Sequence, residues 1–70
     1  MKKEELGRLQ NYMCGVFKLD DLQIKGRPQK DDSAEVYIND EFVGVIYRDD
    51  EDEDLCYNFQ MAILDFDLEQ

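Results

Sequence analysis

Leu6, Leu9, Met13, Val16 and Phe17 recur at steps of three, four, three and one residues. That spacing gathers apolar side chains on one face of a helix. It predicts an amphipathic helix over residues 3–17, with Glu4 and Glu5 in its first turn and Lys18 at its end, both favourable to the helix dipole. After it the period changes to two. Leu22 and Ile24 alternate with Gln23 and Lys25 in a strand over about 21–26, stopped by Gly26 and Pro28. Proline cannot donate to a ladder, which assigns this strand to an edge. Lys30-Asp31-Asp32 reads as a turn, and Ala34, Val36 and Ile38 alternate with Glu35 and Tyr37 in a strand over 33–38. Asn39 and Asp40 both tolerate positive φ and suit a two-residue hairpin turn into a strand over 41–48. A turn over Asp49–Asp54 leads to the longest strand, 55–64, with Tyr57, Phe59, Met61 and Ile63 on one face. An acidic tail, 65–70, carries Phe66 and Leu68. Order and short connections predict an α+β fold: an N-terminal amphipathic helix packed on a four-stranded antiparallel β-meander, α-β-β-β-β, in one small domain over 1–70.

The hairpin makes a prediction about faces. A two-residue turn puts Ala34, Val36 and Ile38 on the same side as Val43, Val45 and Tyr47, the expected seat of the helix. The opposite side then carries Tyr37, Phe42 and Ile46, with Gly44 leaving a gap among them. One helix covers one face, so this second apolar patch is the candidate interface, for a homodimer or for a partner protein. The alternatives at this point are that Phe66 and Leu68 fold back over the patch, or that tyrosine hydroxyls make it tolerable in water.

Length sharpens that expectation. Seventy residues make one compact unit. A core of that size seldom supplies more than about 3–5 kcal/mol, and oligomerisation is one remedy. Apolar residues at 43% of positions argue against wholesale disorder. Met-Lys-Lys-Glu-Glu is followed by no apolar segment of the roughly 7–15 residues a secretory signal requires. No apolar run approaches the roughly 20 residues of a membrane span. A soluble, cytoplasmic protein with no membrane contact is expected. There Cys14 and Cys56 are expected as reduced, non-catalytic, small buried hydrophobes.

Charge is strongly asymmetric. Residues 1–30 hold seven bases and four acids, whereas residues 31–70 hold Arg48 alone against fourteen acids, for a net charge of -10 overall. Direct binding of nucleic acid is not expected of such a field. The cluster Lys25-Gly26-Arg27-Pro28-Gln29-Lys30 has no aromatics interleaved, and suits solubility and the protection of an edge strand from aggregation. Six consecutive acids, Asp49, Asp50, Glu51, Asp52, Glu53 and Asp54, form the candidate acidic contact for a basic partner. They fail the EF-hand pattern, because neither register places glycine at position six or glutamate at position twelve. Weak divalent-ion binding without a preferred geometry is expected, with no metal site and no cofactor.

Catalysis finds little material. Histidine is absent, so Ser33 has no such base beside it. Gly7, Gly15, Gly26 and Gly44 are too scattered for a phosphate loop. No catalytic residue is assigned, and an enzyme is not expected.

Three stretches carry a resemblance. Residues Lys30 to Ile38, Glu41 to Tyr47 and Tyr57 to Leu64 resemble a family of short alphaproteobacterial proteins known only as a domain of unknown function. The resemblance extends over nearly the whole chain; it implies a bacterial cytoplasmic protein and carries over no activity and no functional residue. The residues themselves point to a small, non-enzymatic protein–protein interaction module. The alternative is an acidic nucleic-acid mimic that blocks a DNA- or RNA-binding protein. A mimic needs charges spaced like phosphates along a surface, while a docking module needs apolar anchors at the centre of its patch.

Overall fold

A computed structural model describes residues 1–51 and 54–69. The helix, α1, spans Lys3–Phe17. Its first turn is held by Glu5, whose carboxylate accepts the Lys2 amide at 3.4 Å. It ends at Lys18, which adopts the left-handed conformation while the Leu19 amide bonds back to the Cys14 carbonyl at 3.0 Å. Four strands follow: β1 (Leu22–Arg27), β2 (Lys30–Ile38), β3 (Glu41–Asp49) and β4 (Cys56–Gln60), then a 3₁₀ turn over Asp65–Glu69. They form one antiparallel sheet in the order β1-β2-β3-β4. The chain is therefore α+β, one N-terminal helix and a four-stranded meander.

Two turns set the registers. Pro28 and Gln29, not Lys30-Asp31-Asp32, connect β1 to β2, so β2 begins three residues earlier than the alternation suggests. The Asn39-Asp40 turn has φ of 54° and 65°, the paired positive values of a type I′ hairpin. Past that turn Ile38 faces Glu41 and Tyr37 faces Phe42, but Val36 faces Gly44, leaving Val43 as an extra residue on β3. This β-bulge reverses the expected faces, because a one-residue slip flips every following side chain. Ile46 lies opposite Ala34 and is 1% exposed, in the core rather than on the outer patch. Val45 and Tyr47 correspondingly turn to the outer face, and Val43 packs half-buried against the core.

β4 ends beside the bulge. Its ladder ends where Gln60 pairs with Val45, next to the bulge, so Met61–Leu64 lies outside any strand instead of continuing to residue 64. A Cβ on Gly44 would lie 2.5 Å from the Gln60 carbonyl oxygen and 2.7 Å from the Phe59 ring. Glycine is what lets β4 close on β3 at this point.

The core consists of Met13, Leu22, Ile24, Ala34, Val36 and Ile46, with Leu6, Leu9 and Ile38 packed around it. The helix sits toward β1 rather than over the sheet's centre. Leu6 occupies the space above Gly26, where a Cβ would come within 3.2 Å of its methyl. The Gln10 side chain accepts the Ile24 amide at 3.0 Å, and the Cys14 thiol donates to the Leu22 carbonyl at 3.5 Å. Helix side chains thus satisfy outward-facing backbone groups of an edge strand. The other half of the same sheet face, above β3 and β4, is left beyond the helix.

Candidate functional site

The offset of α1 creates a groove between the C-terminal half of the helix and β4, with a volume of about 600 Å³. Leu9, Tyr12, Val16 and Phe17 form its helical wall, Leu55 and Phe59 its strand wall, and Met13 and Ile46 its buried floor. Phe17 meets Phe59 edge-on, with ring centroids 6.4 Å apart. Tyr12 is 71% exposed and Val16 55%, so the groove is open to solvent among the described residues. The last turn of the helical stripe, read from the sequence as core, lines this groove instead.

One end of the groove is polar and tied down. The Tyr57 hydroxyl donates to the Glu5 carboxylate, and Arg48 donates to both Glu5 oxygens at 3.3 and 3.4 Å. These contacts join the first turn of α1 to β3 and β4. The Tyr57 hydrogen bond, helped by the Lys2 amide and Arg48, holds the Glu5 carboxyl below its ordinary value against the opposing effect of burial. The same carboxylate pushes the Tyr57 hydroxyl up.

The predicted interface residues are only partly brought together. Tyr37 and Phe42 share the outer face, their rings packed edge-on at 5.7 Å. Ile46 is on the opposite face, in the floor of the groove. Tyr37 is further occupied by its own neighbours: Lys25 lies over its ring at 4.6 Å, and its hydroxyl donates to Glu35 at 2.9 Å, which raises the Tyr37 pKa. Phe42 is half-exposed beside it.

Of the acidic run, Asp49, Asp50, Glu51 and Asp54 are described, and Asp52 and Glu53 lie outside the described residues. Asp49, Asp50 and Glu51 border a shallow hollow of about 310 Å³ with Asp32, Arg48 and Asn58. No group of three or more His, Cys, Asp or Glu side chains is placed to hold a metal ion among the described residues. Asp54 leads directly into Leu55, so the acidic turn adjoins the strand wall of the groove. Ser33 is buried, its hydroxyl accepting from Arg27 at 3.3 Å. Both cysteines are free thiols; Cys14 is half-buried, whereas Cys56 is exposed on β4 rather than buried as expected. The alternation of an isolated strand cannot tell a paired edge from an open one.

No helix among the described residues is long and apolar enough to cross a membrane. A family model described as "Protein of unknown function (DUF3126)" matches residues 5–67. Neither the curated proteins nor the solved structures contain a match to the chain.

Proposed function

The chain belongs to this family of unknown function, and from that premise, which assigns no activity, we propose that it is a non-enzymatic module that binds a protein segment in the α1–β4 groove. One observation supports the reading above the rest. A concave apolar surface with aromatic walls lies open beside the buried core. Such surfaces supply the central anchors of an interface. The acidic turn adjoining Leu55 selects for basic residues flanking the partner's apolar anchor. Tyr37 and Phe42, already packed against each other and against Lys25, contribute less than the groove does. The described acids of the turn gather at one end of the sheet instead of tracking along it, which gives nucleic-acid mimicry less support.

Affinity capture at low and high salt, with parent protein and with Val16→Glu, tests the reading. Val16 is a groove residue that contributes little to the core, so the variant keeps its fold by circular dichroism. A protein held by the parent at low salt, weakened by high salt and lost from Val16→Glu is the expected result. Identical capture by the two proteins would overturn the groove as the binding site.

A further inference from the structure

We propose that two copies of this chain associate through β4, pairing it antiparallel with the same strand of the second copy to make one continuous sheet of twice the width. This inference is independent of what the groove binds. It starts from a property of composition: in a chain where 37% of residues are charged, Leu55 to Leu64 is a run of ten residues without a single charge. It contains no proline and no glycine either. Segments of that kind pair readily with other strands unless something covers them.

Among the described residues, no strand pairs with the outer edge of β4. Cys56, Asn58, Phe59 and Gln60 are exposed, and β4 is the last strand of the sheet. Met61–Ile63 continues the run beyond the point where β3 offers a partner, with Ile63 61% exposed. Leu64 is instead tied into the 3₁₀ turn, its amide donating to the Asp67 carboxylate at 3.0 Å and its carbonyl accepting the Asp67 amide at 2.8 Å. The chain thus presents a bare strand edge and, directly after it, an apolar segment with no ladder. A two-fold axis near Gln60 satisfies both at once, by setting Met61–Ile63 of each copy beside Tyr57–Phe59 of the other. One self-complementary contact is then made twice, as closed symmetry requires.

The flanking acids limit the assembly. Asp49–Asp54 precede the run and Asp65, Asp67 and Glu69 follow it. Antiparallel pairing brings the leading acids of one copy toward the trailing acids of the other at both ends. Their repulsion opposes association at low salt and is screened at high salt. The other edge is blocked at two outward-facing groups of β1, the Ile24 amide by Gln10 and the Leu22 carbonyl by Cys14, and a two-fold contact uses each β4 once. Association through β4 therefore stops at two copies.

Sedimentation equilibrium of the full chain at low and high salt, with hydrogen exchange on the same samples, tests the proposal. The expected result is a dimer that tightens with salt, opposite in sign to the salt effect on a basic partner, with amides of residues 61–63 protected in proportion to the dimer. Ile63→Pro and Ala62→Glu change exposed residues outside every ladder of the chain itself, and each should weaken dimerisation at least about tenfold without altering circular dichroism. Val16→Glu and Phe42→Glu should dimerise as the parent does. A parent that stays monomeric at both salts would overturn the proposal. So would a dimer in which residues 61–63 exchange freely, dimerisation unchanged by both Ile63→Pro and Ala62→Glu, or dimerisation lost in Phe42→Glu alone. Salt-sensitive capture lost in Val16→Glu would stand in any of these cases, so the two readings fail separately.

Discussion

The two edges of the sheet are treated differently by the rest of the chain. At β1 the helix lies close enough for Gln10 and Cys14 to take up an amide and a carbonyl of the edge, and Lys25, Arg27 and Pro28 mark the strand and its turn with charge and a missing donor. At β4 the helix reaches only side chains, Phe59 through Phe17 and Tyr57 through Glu5, and there is no charged residue within the strand. Natural sheets protect their edges by charge, proline, cover or shortness, and here β1 has the first three while β4 is merely short. The difference teaches where the molecule is finished. Its β1 side is a completed two-layer core, and its β4 side is a half-layer whose apolar groove and strand edge face outward.

The largest effect expected of that contrast comes from truncating matched leucines on the two sides. Leu22→Ala on β1 removes a fully buried side chain and should cost about 2–4 kcal/mol, most of what a domain of this size holds. Leu55→Ala, at the groove wall, should stay within about 0.5 kcal/mol. Thermal unfolding followed by circular dichroism reads both, and equal losses would erase the distinction between the two sides.

Gly44→Ala probes the junction between them. The added methyl must displace the Gln60 carbonyl, so a loss of about 1–3 kcal/mol is expected, concentrated in β4. Hydrogen exchange should show residues 56–60 opening while β1 amides keep their protection.

A smaller and pH-dependent effect belongs to Glu5, which ties the helix to β3 and β4. Its folded pKa is lowered, so its contribution is complete above the ordinary carboxyl value of about 4.3 and is lost as pH falls through the lower folded value. Glu5→Gln should cost about 1 kcal/mol at neutral pH, and the difference from the parent should vanish in acid. A difference that grows on acidification would contradict this account. The smallest change is expected from Gln10→Ala, at about 0.5–1 kcal/mol, with faster exchange of the Ile24 amide as its specific sign.

Much of this architecture was legible in the chain. The three-four spacing of Leu6, Leu9 and Met13 specifies a helix with one buried face, and the Asn39-Asp40 pair specifies a tight hairpin, because both signals are local. Alternation likewise announced the strands, and Pro28 announced that β1 is an edge. The candidate site was less legible. Val16, Phe17 and Phe59 carry the same apolar signal as core residues, and only the lateral placement of α1 decides that they line a groove instead.

By itself, then, the sequence determined the kind and order of the elements, the tight turn at Asn39-Asp40, the uncharged run at 55–64 and the acidity of the chain's second half. Those follow from the backbone preferences and solvation of a few neighbouring residues. The tertiary structure alone decided which face Ile46 occupies and where β4 stops. The first follows from the extra residue at Val43, and the second lies where Gln60 pairs with Val45 beside it. One residue of slip costs little locally but inverts every side chain beyond it, so the choice is made by whichever set of side chains fills the core beneath the helix.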